Sequence, residues 1–310
     1  MPAIITHHLF GEEAAVMLPD GMLESHEALL AFLLGCQGTD PLWARFSTLP
    51  QNAFSCHAVA LLVHSESVTE TLLALRNTVS SLPADDRATG RAFALGMSTH
   101  YLLDSVAHPL IFALQRRLEV FEPSLRDARS ELHAMLEADI DSWMLWQMRQ
   151  KTVLDAPCSE ALPFTPRIGR VAGAMIAQVA WQVYGIKLDA REYSGAVRDY
   201  RTLYAHIDPP KTPLAQALTW AESKMRLHSR LHAQAHRVLG KDETVIANLE
   251  HDLWRDPYTR VTSTASFPDL FHDALAAWPA FASRIIEGDE RRLGAMIDHV
   301  NYYGKREPGV

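Results

Sequence analysis

The stretch "GMSTHYLLDSVAHPLIF", residues 96–112, decides how this chain is read. Apolar residues dominate it at helical spacing, so it reads as a buried helix. Yet it carries His100, Asp104 and His108, three titratable side chains at i, i+4 and i+8. Such positions drift around a helix by only about 40° per step, so all three share one stripe. An unpaired carboxylate in apolar surroundings is expensive to bury. Either Asp104 hydrogen-bonds the histidines inside the core, or a divalent metal binds them together. Pro109 follows His108 directly, lacks an N–H, and predicts that the helix ends or kinks there.

A second pair lies downstream. "ELHAMLEADID", residues 131–141, sets His133 and Glu137 four apart on one face of another predicted helix. Two antiparallel helices could aim four ligands at one cavity. Asp141, one turn beyond Glu137, is expected to orient His133 or Glu137, or to sit on a solvated face. Three further positions precede these. His7 and His8 lie in an apolar N-terminal stretch, Asp40 in the Gly-containing loop "CQGTDPLW", and His57 in the apolar run "AFSCHAVALLV". His228, His232 and His236 in "KMRLHSRLHAQAHRVLGK" are also spaced by four. With Lys and Arg around them they read as a polar, partly basic helix face.

The rest of the chain is helical in pattern. Periodicity predicts helices over 12–18, 24–35, within 53–82, from 83 to about 108, and over 124–151, 168–185, 211–239 and 268–287. No alternating strand run or internal repeat is seen. The expectation is an all-α, multi-helix bundle around a buried metal cluster. A metal-binding helical core would cover 1–150. A Pro-rich linker (151–167) would lead to a C-terminal helical part (168–310) packed against that core as one unit. At 310 residues the chain can bury a sizeable core. A formal net charge of −8 argues against a nucleic-acid partner. The three cysteines, Cys36, Cys56 and Cys158, form no CxxC pattern. The first residues lack a signal-peptide pattern and no apolar run reaches about 18 residues, so a cytoplasmic protein without a transmembrane segment is expected. No P-loop, dinucleotide fingerprint or GxSxG elbow is present.

Taken in order, the series His, GxDP, His, HYxxDxxxHP, HxxxE resembles the zinc-dependent phospholipase C family, which is related to zinc-dependent single-strand nucleases. "AFALGMSTHYLLDSVAHP" looks like that family's hallmark helix, "HAMLEADID" like its HxxxE segment, and "AFLLGCQGTDPLW" like its GxxGPD loop. The resemblance spans roughly residues 5–145. It implies an all-α fold holding two or three zinc ions. His57, His100, Asp40 and Asp104 would surround one ion, His108, His133 and Glu137 a second, and His7 a third with Asp104 bridging. His7 is preferred to His8. The chain departs from secreted members, which use a processed N-terminal residue as a ligand. It has no Trp at its start, and removal of Met1 would expose the Pro2 amine instead. His108 also precedes its proline directly.

The implied activity is hydrolysis of phosphoester bonds, with a phosphodiester on a small molecule or a phospholipid headgroup as substrate. Asp40 is the candidate catalytic residue, orienting or deprotonating the attacking water. The alternative is a non-catalytic, metal-stabilised helical binding or scaffold protein, whose sites would have no open position.

Overall fold

The residues around His100 form the axis of the molecule. In the computed structural model, which describes residues 4–210, 212–222, 224, 228–239 and 246–307, a single helix, α5, runs from Arg87 to Phe121. It is preceded by α1 (Ile4–Ala15), α2 (His26–Gly35), α3 (Pro50–Ser65) and α4 (Val68–Thr78), and followed by α6 (Arg129–Arg149). Then come α7 (Pro166–Tyr184), α8 (Ala190–Ile207), α9 (Pro213–Glu222), α10 (Arg230–Gln234), α11 (Phe267–Glu287) and α12 (Glu290–Ile297). One two-residue antiparallel pair, Trp254–Arg255 with Thr262–Ser263, is the whole sheet content among the described residues. The chain is all-α.

Local chemistry accounts for many helix ends. Ser25 caps α2 by accepting the Ala28 N–H at 3.1 Å. Thr165 caps α7 ahead of Pro166, and Gly185 ends it with φ at +66°. Ser266 and Asp269 form a reciprocal capping box at the start of α11.

Helix α5 is buried along much of its length because α2, α7, α11, α1 and α6 all pack on it. The crossing with α2 is close. A Cβ on Gly96 would lie 2.1 Å from the Phe32 carbonyl oxygen, and one on Gly35 would lie 2.4 Å from that of Phe93. Only glycine at both positions lets the two backbones approach this far.

Two expectations need correction. Of the end or kink expected near His108, the end does not occur: the helix continues through Pro109 to Phe121. Leu110 and Ile111 beyond the proline are buried, and the turn at Gly304 packs against the proline ring, so burial offsets the one missing backbone hydrogen bond. Over 211–239 the described residues form α9 and α10, and α10 stops at Gln234. His236 therefore does not continue a helical stripe from His228 and His232. Residues 151–167 bury Val153, Cys158 and Leu162, and one apolar cluster draws on both the first 150 residues and the C-terminal part. No single described helix is long and apolar enough to cross a membrane.

Candidate metal centre

Eight side chains from five segments converge beneath the surface. Helix α5 supplies His100, Asp104 and His108 along one stripe, as its spacing predicts. Helix α6 supplies His133 and Glu137, α1 supplies His7, and α3 supplies His64. The short 3-10 turn Asp40–Ala44 supplies Asp40. All are buried except His133, whose side chain is 12% exposed.

The contacts fall into three groups, the first two sharing His100. In the first, Asp40 Oδ1 lies 3.1 Å from His64 Nε2, and Asp40 Oδ2 lies 3.2 Å from His100 Nε2. In the second, Asp104 Oδ1 is 3.0 Å from His7 Nε2, while its Oδ2 is 3.5 Å from His100 Nε2. In the third, Glu137 Oε1 is 3.0 Å from His133 Nε2 and 3.3 Å from His108 Nε2. Asp104 Oδ2 also reaches His108 Nδ1 at 3.7 Å and His64 Nε2 at 3.9 Å, so this carboxylate joins the groups. Each group offers three donor atoms close enough to hold one cation.

The histidines are held from behind. Nδ1 of His64 bonds the Ala60 carbonyl at 2.7 Å, that of His100 the Cys36 carbonyl at 3.0 Å, and that of His108 the Tyr302 carbonyl at 2.7 Å. Nδ1 of His133 faces Gln115 Oε1 at 3.3 Å. Carbonyl oxygens only accept, so Nδ1 is the donor and carries the proton. Nε2 is then the nitrogen left facing the centre, and once a ring is neutral its lone pair is in the tautomer a metal ligand needs.

Without a cation this arrangement is poorly balanced. Neither oxygen of Asp40 has a hydrogen bond, nor does Asp104 Oδ2 or His7 Nδ1. Each such buried polar atom costs roughly 1–3 kcal/mol, more when charged. Together that approaches the whole margin of about 5–15 kcal/mol by which a domain is stable. Protons serve only part of the set. Burial would lower the pKa of His108, but Asp104 and Glu137 push it up to about 9. His64 is likewise raised, with Asp40 overcoming its burial. Burial together with His7 pushes His100 down to about 4, and His133 is also lowered by burial. Burial would raise Asp104, yet His108, His100 and His7 hold it far below the usual carboxylate range. Asp104 and Glu137 are thus held ionised and His100 and His133 neutral, while His108 and His64 hold protons that a bound cation would displace. This donor set fits a divalent metal of borderline hardness.

The turn carrying Asp40 is fixed by its surroundings. Tyr193 Oη donates to the Gly38 carbonyl at 2.9 Å. Arg45 pairs with Glu192 at 2.7 Å and Asp199 at 2.6 Å on α8. Gly38 has φ at +57°, and a Cβ there would come within 2.4 Å of the His100 ring.

One expected ligand is wrong. His57 is exposed and stacks on Trp43 with ring centroids 6.0 Å apart. His64 takes its place beside Asp40 and His100. Seven residues separate the two on α3, so both lie on nearly the same face and spacing does not distinguish them. The difference is height: two turns, or about 10 Å of helix. His8 is partly exposed and faces Glu12 at 3.6 Å, so His7 is the residue directed inward. Asp141 is bonded by Ile5, Thr6 and His236. Pro2 lies outside the described residues.

The sequence reading also missed Tyr302. Its N–H donates to the His64 carbonyl at 3.2 Å and its carbonyl accepts from His108, so one residue steadies two ligand helices. Its ring lies 4.7 Å from His64 and 5.7 Å from His100. The aromatic pair in "NYYG" near the C-terminus was the available signal.

A cavity of about 20 Å³, lined in part by His7, Asp104, His108 and Glu137, adjoins the centre and has room for one water-sized group. Comparison with protein-family models, curated proteins and solved structures finds no match to this chain.

Proposed function

We propose that this protein is a zinc-dependent hydrolase of phosphoester bonds, resembling phospholipase C in its ligand order. The observation that carries the reading is the convergence of three buried His–carboxylate groups, two of them sharing His100 and the third adjoining Asp104. Asp40, His64 and His100 would hold one ion, His7 and Asp104 a second, and His108, His133 and Glu137 a third. Zinc ions held there would acidify a water and offset the charge of a phosphoryl group.

The chain's own residues do the rest. The carbonyl partners of His64, His100 and His108 keep the Nε2 lone pairs aimed inward. Asp40, held in its turn by the anchored loop, can spare one carboxylate oxygen to accept a proton from a water. Apolar neighbours such as Leu103, Ile111, Ile140 and Phe267 limit bulk water on one side. His133 is the most exposed ligand, and Phe112, Tyr303 and Tyr258 surround that end. A phosphorylated small molecule or a phospholipid headgroup would approach from there.

The test is turnover of a chromogenic phosphodiester by zinc-loaded protein. Activity abolished by chelation and restored by zinc is expected. No turnover of any phosphodiester or phosphomonoester by fully loaded protein would overturn the reading. The small cavity and the depth of seven of the eight ligands favour the second reading, a non-catalytic zinc-stabilised scaffold, if that happens.

A further inference from the structure

A second carboxylate–imidazole cluster lies one turn along α6 from Glu137. Asp141 is fully buried. Its Oδ1 accepts the Thr6 N–H and its Oδ2 the Ile5 N–H, both at 2.8 Å. Asp141 Oδ2 is also 3.0 Å from His236 Nε2. On its other side His236 Nδ1 lies 2.8 Å from Asp208 Oδ2, and the His236 N–H donates to Asp208 Oδ1 at 2.8 Å. The next residue, Arg237, makes a two-pronged pair with Asp139, at 2.6 Å through each of Nε and Nη2.

Cys158, Asp208 and His236 come close enough to hold a cation, but this cluster does not need one. Both nitrogens of His236 face carboxylates, and both oxygens of Asp141 are occupied by donors. A charged imidazole between two carboxylates completes the network.

The structure assigns Asp141 and His236 as positioning residues for the His7 ligand site. The amides of Ile5 and Thr6 belong to the first turn of α1, where N–H groups lack partners within the helix. A carboxylate there satisfies them and complements the positive end of the helix dipole. Helix α1 in turn presents His7 to Asp104. The chain Asp208–His236–Asp141 thus ties a segment more than 200 residues downstream to the placement of one ligand at the centre. The assignment rests on the metal-centre reading for its consequence, but not for its geometry.

The test uses full-length Asp141→Asn and His236→Gln, the second being the milder change should the first fail to fold. Zinc equivalents are measured by elemental mass spectrometry, and amide hydrogen exchange is followed in the N-terminal peptide. Each variant is expected to lose one zinc equivalent, as His7→Ala does. His7→Ala combined with His236→Gln should lose no more than His7→Ala alone. Exchange at Ile5 and Thr6 should quicken about tenfold, with or without metal. A full metal complement in both variants overturns the assignment. So does loss of every ion in step with loss of helix, which would mark a general structural role. If the unaltered protein takes up no metal, the proposed function falls while the exchange measurement still decides whether Asp141 and His236 hold the first turn of α1. Unchanged protection of Ile5 and Thr6 would then refute it.

Discussion

One turn of α6 separates two buried carboxylates, Glu137 and Asp141, that belong to opposite kinds of site. Around Glu137, carboxylates face imidazole nitrogens, and at Asp104 and Asp40 nearby, three oxygens have no hydrogen bond. Around Asp141 and Asp208, the same residue types are paired to completion by His236 and by two helix amides. Residue type alone therefore does not mark a metal site. What marks it is the deficit of donors, together with Nδ1 atoms tied back so that Nε2 is left for a cation. A completed network instead fixes backbone.

The largest effect that tests this contrast is expected from Asp104→Asn. Four histidines lie within 3.9 Å of that carboxylate. Bound zinc should fall from two or three equivalents to below one, with phosphoesterase activity lost alongside, as read by elemental analysis and the chromogenic assay. Next comes the choice between two histidines on α3. His64→Ala should remove one equivalent, whereas His57→Ala should keep the full complement and alter stability by no more than about 0.5 kcal/mol in denaturant titration. The reverse result would restore the original ligand assignment.

Smaller effects probe the supports. Gln115→Leu removes the acceptor behind His133 Nδ1 and should weaken metal binding by roughly 10–100-fold in competition with a chelator. The subtlest is a pH effect at the completed cluster. Burial would lower the pKa of His236, but Asp208, Cys158 and Asp141 raise it well above its ordinary value. A raised folded-state pKa stabilises the fold in full below the unfolded value of about 6.5, and that stability is lost as pH climbs through the folded pKa. The stability gap between the unaltered protein and His236→Gln should therefore be widest near pH 6 and narrow toward alkaline pH. A gap that widens with pH would mean His236 is buried neutral.

Helical spacing made the fold legible: a one-sided apolar stripe marks α7 and α11, while α5 and α6, packed on several sides, are buried over long continuous runs. The i, i+4 spacing likewise exposed His100, Asp104, His108, His133 and Glu137, since it governs which side chains share a face. Where spacing is silent, the reading failed. His57 and His64 share a face and differ only in height, which is set by where the Asp40 turn packs against α3. Asp141 sits in register with Glu137, yet its partners come from Ile5, Thr6 and His236, far away in sequence. Local signals also overstated Pro109, because the helix-breaking tendency of proline is weaker than the burial that carries α5 onward to Phe121.

The most direct test of the central claim is the metal content of unaltered protein purified without added metal or chelator. The account predicts two or three zinc equivalents per chain, retained through dialysis. No bound metal, and none taken up after zinc is supplied to folded protein, would contradict it and leave three buried carboxylates neutralised by protons alone.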